Sequence, residues 1–111
     1  MQTIDRETLK RSLDKGSKLT ILNVLPEEYY RKEHIKGSEN ISVKEENFEE
    51  EVESKVGSKD KPIVVYCASN ECPASKAAAE KLEKAGFTNV RAYEGGMQDW
   101  KDAEYPVEGS A

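Results

Sequence analysis

Histidine occurs once and cysteine twice in the 111 residues. That is too few to complete a four-ligand zinc site, and too few for the disulfide lattice of a small secreted scaffold. Aromatic residues make up only 7%, and no apolar run approaches the ~18–20 residues needed to cross a bilayer as a helix. The opening stretch MQTIDRETLK has no apolar leader core, so the expectation is a soluble chain in a reducing cytoplasm with both thiols free. Basic residues number 17 against 22 acidic ones, a net charge of −5, and they form no stripe. Phosphate neutralisation needs clustered Lys and Arg, so neither nucleic acid nor a membrane is an expected partner.

What remains is 36% hydrophobic and 35% charged, the composition of one small domain over residues 1–111 with its core at about 3–108. Asp5 is placed to cap a helix, with Ile4 and Leu9 packing across the cap and Gly16 ending it. The apolar run 19–25 suits a buried strand, stopped by Pro26, which opens a short helix over 27–32. Gly37 marks a turn and 40–43 a further short strand. The acidic segment 45–53 admits two readings, a docking tail or the wet face of a helix. The recurrence of Phe48, Val52 and Val56 at every fourth position favours the helix.

Residues 62–67 (PIVVYC) are β-branched and almost continuously apolar, as in a central parallel strand covered on both faces. An alanine-rich helix follows over 73–85, with Ala74, Ala78, Leu82 and Ala85 on one side. A strand at 89–93 comes next, then a last helix opened by Gly95-Gly96 and carrying Met97 and Trp100. Alternating strands and helices imply an α/β fold: a mostly parallel central sheet flanked by helices on both faces, in three layers. Only the tail after Val107 reads as disposable.

The segment that calls for chemistry is 65–75, VYCASNECPAS. Cys67 ends the central strand, where open α/β sheets place their ligand crevices. The polar loop behind it, Ala68, Ser69, Asn70, Glu71 and Cys72, leads into a helix begun by Pro73. Backbone N–H groups of these five residues, above a helix N-terminus, would form an anion-attracting nest and lower the pKa of the Cys67 thiol. Cys67 then reads as a nucleophile, against the alternative of a buried strand-end residue. A phosphatase loop is excluded, because Cys-x5-Arg chemistry needs a guanidinium where Pro73 stands. His34, far from Cys67 in sequence, is expected to hydrogen-bond a carbonyl near a turn rather than act as a base. Trp100 and Tyr105 are expected to pack rather than form a ligand cage. Tyr29 and Tyr30 fit either half-buried packing or a docking patch.

Three ordered motifs give the chain a family resemblance. Tyr66-Cys67 with its loop and alanine-rich helix is the first, and Glu33-His34-Ile35-Lys36-Gly37-Ser38-Glu39-Asn40-Ile41 is the second. The third is Glu94-Gly95-Gly96-Met97-Gln98-Asp99-Trp100 followed by Tyr105-Pro106-Val107. Over about residues 3–108 the sequence resembles single-domain rhodanese-like proteins. The resemblance implies a sulfurtransferase without a cofactor. Cys67 would accept sulfane sulfur from a small-molecule or protein persulfide donor, hold it as a persulfide, and pass it to a thiol or other nucleophilic acceptor. Two alternatives stand beside it: a thiol or persulfide redox protein in which Cys72 resolves Cys67, and a non-catalytic interaction module of the same fold. Where many members carry Asp-Val-Arg, this chain has Asn23-Val24-Leu25. Where many carry a basic residue in the loop, it has Glu71. Thiosulfate, a dianion, is therefore a doubtful donor, since like-charge juxtaposition costs several kcal/mol.

Overall fold

The computed structural model describes residues 2–16 and 18–109; the remainder of the tail singled out above, residues 110 and 111, lies outside the described residues. In chain order the elements are β1 (Gln2–Thr3), α1 (Arg6–Asp14), β2 (Thr20–Asn23), α2 (Glu27–Lys32), β3 (His34–Ile35), β4 (Glu39–Asn40), α3 (Phe48–Val56), β5 (Ile63–Tyr66), α4 (Ala74–Lys84), β6 (Val90–Tyr93), α5 (Gly96–Asp102) and β7 (Val107–Glu108). Five strands form one parallel sheet in the order β1-β6-β5-β2-β4, and β3 pairs antiparallel with β7 in a second, two-stranded sheet. None of the helices among the described residues is long and apolar enough to cross a membrane.

The sheet separates two apolar layers. Val65 and Ile63 of β5, Leu22 of β2 and Ala92 of β6 meet Phe48 and Val52 of α3 and Ala78 and Leu82 of α4. On the opposite face Val64 and Tyr66 of β5, Ile21 of β2 and Tyr93 of β6 meet Leu9 of α1 and Met97 and Trp100 of α5. All four residues of β5 are buried, which is why its sequence shows no polar alternation. The expected three layers are therefore present. From Glu49 to Glu53 the acidic residues form the wet face of α3, whose inward residues are Phe48, Val52 and Val56, while Glu45 and Glu46 precede the helix. Asp5 caps α1, its carboxylate accepting the Thr8 N–H at 2.8 Å. That bond holds the Asp5 pKa below its ordinary value.

Two expectations need correction. The strand expected at 40–43 is β4, Glu39–Asn40, which starts one residue earlier and ends three residues earlier than foreseen. Beyond it the Ile41 and Val43 amides still donate to Asn23 and Val24 carbonyls, but without a regular ladder. The described end of the chain is not loose either, because β7 pairs with β3 and Glu108 accepts the Gly37 N–H at 3.2 Å. The two-residue strands β1, β3 and β7 carry too few residues to show a period of two.

Candidate functional site

Strands β2, β5 and β6 end in register: Asn23 lies opposite Tyr66, and Tyr66 opposite Tyr93. The next residue of the central strand, Cys67, thus emerges at the middle of the sheet's C-terminal edge. Tyr66 anchors that strand end. Its buried phenol accepts the Ile35 N–H at 3.0 Å and shares a hydrogen bond with Ser38 Oγ at 2.9 Å. Burial pushes the Tyr66 pKa up.

Past Cys67 the backbone turns its carbonyls toward α5. Cys67 O accepts the Met97 N–H at 2.9 Å, and Ala68 O accepts the Gln98 N–H at 2.8 Å. These are first-turn amides, which have no partner inside their own helix. The loop then closes on itself: the Cys72 N–H donates to Ser69 O at 3.1 Å, and the Glu71 N–H reaches Ser69 Oγ at 3.4 Å. Pro73 sits at the head of α4, and its carbonyl accepts the Ala77 N–H at 3.0 Å.

This closure takes the Glu71 and Cys72 amides out of the expected ring around the Cys67 sulfur. Glu71 and Cys72 direct their N–H groups to Ser69, the Ala68 N–H faces the Cys72 sulfur, and Asn70 is exposed. The groups that pull the Cys67 pKa down are the N–H and Oγ of Ser75, a buried residue in the first turn of α4. Sequence reasoning did not single out Ser75. Its signal is a hydroxyl in the first turn of a helix that starts beneath a thiol. The Cys67 S–H itself points at carbonyls, Cys72 O at 3.4 Å and Ser69 O at 3.9 Å.

The two thiols, linked through the Cys67 S–H to Cys72 O bond at 3.4 Å, diverge in acidity. Burial pushes the Cys67 thiol up and the bond to Cys72 adds to this, against the downward pull of Ser75. The expected lowering is reversed because the strand end is dry: Cys67 is 1% exposed. Burial also works to raise the Cys72 thiol, but the Cys67 thiol and the amides of Ala74 and Ala68 outweigh it and hold Cys72 below the ordinary thiol value.

Cys72 forms part of the wall of an open cavity of about 510 Å³, together with Val24, Leu25, Tyr29, Val43, Lys44 and Ala77 among others. Lys44 is the one charged residue in that lining. Glu71 is exposed beside the loop. The cation closest in sequence to the loop, Lys76, is paired with Glu94 at 3.2 Å.

The remaining candidates fall into place as packing groups. His34 lies outside the loop, its Nδ1–H donating to Tyr30 O at 2.8 Å and its ring stacked on Tyr30 at 3.8 Å. Tyr30 is held further by its hydroxyl, which donates to Ser38 O at 2.6 Å. Tyr29 is 52% exposed at the cavity wall. Trp100 is buried, donates to Pro106 O at 2.8 Å and packs edge-on against Tyr105.

Comparison with known proteins places this geometry. A family model described as Rhodanese-like domain matches residues 5–103. Thiosulfate sulfurtransferase GlpE of Coxiella burnetii is 30% identical over 96 residues, covering 86% of this chain and 82% of that protein. The HTH-type transcriptional regulator Rv0324 of Mycobacterium tuberculosis is 32% identical over 108 residues, and there the chain spans only 45% of the relative's length. The solution structure of the rhodanese-like domain of the Anabaena protein Alr3790 superposes with a TM-score of 0.85 at 31% identity, covering 99% of this chain and 80% of that one.

Proposed function

Since the chain belongs to the rhodanese-like domain family, we propose that it is a sulfurtransferase that carries sulfane sulfur as a persulfide on Cys67 and delivers it to a thiol acceptor. The observation that supports this most directly is the pair of Ser75 donors, N–H and Oγ, on a thiol at the end of β5. A persulfide formed there would extend a negative charge toward fixed donors, which stabilise it without a metal. In loading, the Cys67 sulfur attacks the outer sulfur of a donor R–S–SH, the donor's S–S bond breaks, and R–SH departs. In delivery, an acceptor thiolate attacks the outer sulfur of the Cys67 persulfide and regenerates the Cys67 thiolate. Both steps move neutral sulfur and need no oxidant.

The GlpE relative is named for thiosulfate, but a thiosulfate dianion at this loop would meet Glu71 and no loop cation. The donor proposed here is a persulfide, small or protein-borne, and a reducing cytoplasm is the compartment that keeps both thiols ready. A second reading draws on the contact between the thiols: Cys72 attacks the inner sulfur of the Cys67 persulfide, expels HS⁻ and leaves a Cys67–Cys72 disulfide.

The test is donor-to-acceptor sulfur transfer with endpoint mass mapping. Cleavage after Glu71 separates the two cysteines into different peptides. Wild type should finish loading with one extra sulfur on the Cys67 peptide, and Cys67→Ser should lose transfer to the acceptor. Full transfer by Cys67→Ser would overturn the assignment.

A further inference from the structure

The thiol buried at the strand end and the thiol open to solvent are different residues. Cys67 is 1% exposed, whereas Cys72, whose carbonyl accepts the Cys67 S–H at 3.4 Å, forms part of the cavity wall. We propose that Cys72 is the receiving thiol: a small organic persulfide with an apolar body seats in the cavity beside α4, gives its outer sulfur to Cys72, and Cys72 relays that sulfur to Cys67. The proposal rests on the sulfur-carrier reading above and adds to it a second reacting residue and a substrate class.

The occupant follows from the lining. Val24, Leu25, Val43 and Ala77 offer an apolar seat, and the one charged lining residue is a cation, Lys44, with no carboxylate among them. That set suits a hydrophobic body whose leaving sulfur takes up a single negative charge, which is the form of an organic persulfide, R–S–SH, releasing R–S⁻. The volume of about 510 Å³ falls in the range of ~300–1,000 Å³ typical of small-molecule sites. A hydrated inorganic dianion gains nothing from such walls, and the exposed Glu71 next to Cys72 repels it.

The steps balance. Cys72 thiolate attacks the outer sulfur of R–S–SH, the S–S bond breaks, and R–S⁻ leaves. The Cys67 sulfur then attacks the outer sulfur of the Cys72 persulfide and the new S–S bond breaks. The proton of the Cys67 thiol ends on the Cys72 sulfur. One neutral sulfur atom has moved twice, with no oxidant or reductant consumed. The lowered pKa of Cys72 and the raised pKa of Cys67 run in the direction this order requires.

The experiment is rapid-quench loading with benzyl persulfide and, in parallel, with inorganic hydrogen disulfide, followed by alkylation and cleavage after Glu71. In wild type, sulfur from benzyl persulfide should appear on Cys72 first and on Cys67 later. Cys67→Ser should hold the sulfur on Cys72. Cys72→Ser should slow loading of Cys67 by benzyl persulfide roughly a hundredfold, the scale on which lost proximity is felt. Ala77→Phe, an exposed change in the cavity wall that leaves both thiols intact, should reduce the preference for benzyl over inorganic donor about tenfold. Loading of Cys67 at the wild-type rate in Cys72→Ser overturns the relay and leaves the sulfur-carrier reading standing. So does an unchanged donor preference in folded Ala77→Phe, or a Cys67–Cys72 disulfide with released sulfide in place of transfer. Absence of sulfur on Cys67 from every donor overturns the sulfur-carrier reading itself, and the relay with it.

Discussion

Gly96 and Cys67 touch through their backbones. A Cβ built on Gly96, whose φ is +65°, would stand 2.5 Å from the Cys67 carbonyl oxygen and 2.9 Å from the Ser69 nitrogen. No side chain fits there. The contact lets the first turn of α5 press its Met97 and Gln98 amides onto the Cys67 and Ala68 carbonyls, so backbone amides of that helix set the direction of the loop.

Gly96→Ala should therefore lower stability by about 1–3 kcal/mol, from a left-handed backbone position now carrying a side chain together with the displaced loop. Urea unfolding would give the stability, and sulfur loading per folded molecule the effect on the loop. An alanine variant as stable and as active as wild type would show that the loop does not depend on this close approach.

Ser75→Ala removes the hydroxyl that faces the Cys67 sulfur and keeps the backbone N–H. Alanine is a good helix former, so stability should change by less than about 1 kcal/mol. Losing a hydrogen bond to the charged form should move the Cys67 thiol further up and slow its alkylation at fixed pH about tenfold. Peptide-resolved alkylation rates provide the check.

The thiols should separate on a pH scale. Cys72, held below the ordinary thiol value, deprotonates first as pH rises, and Cys67, pushed above it, deprotonates last. Iodoacetamide modification mapped after cleavage at Glu71 should begin on Cys72 at a pH where Cys67 is still inert. Modification of Cys67 first would reverse the assignment of acidity.

Glu71→Arg should raise thiosulfate turnover and make it more dependent on salt, because a loop cation attracts a dianion over a distance that ions screen. Glu71 is exposed, so the change should leave the fold intact. Steady-state rates at two ionic strengths suffice. An unchanged rate in folded protein would remove charge as the reason for a poor fit to thiosulfate.

The layers were readable because burial leaves periodic marks. Phe48, Val52 and Val56 repeat at helical spacing, the Ile63–Tyr66 strand is apolar throughout, and Asp5 and Pro26 punctuate helix starts. The position of Cys67 followed from those marks. The partners of its sulfur did not, because they depend on where backbone amides point, and a short loop can direct them inward or consume them internally. Here Ser69 consumes two, from Glu71 and Cys72, and Ser75 takes their place. The pairing of Val107 and Glu108 with Ile35 and His34 was invisible for a related reason. A two-residue strand is defined by its partner and not by its own composition.

That short pairing connects the carboxyl end of the chain to the sulfur site mechanically. Glu108 grips Gly37, the same segment holds the Tyr66 phenol through Ile35 and Ser38, and Tyr66 is covalently joined to Cys67. Tension applied beyond Gly109 would shear the β3–β7 ladder and then tug on the anchor of the central strand. Anything tethered at that end is thus wired to the thiol pair through three short links.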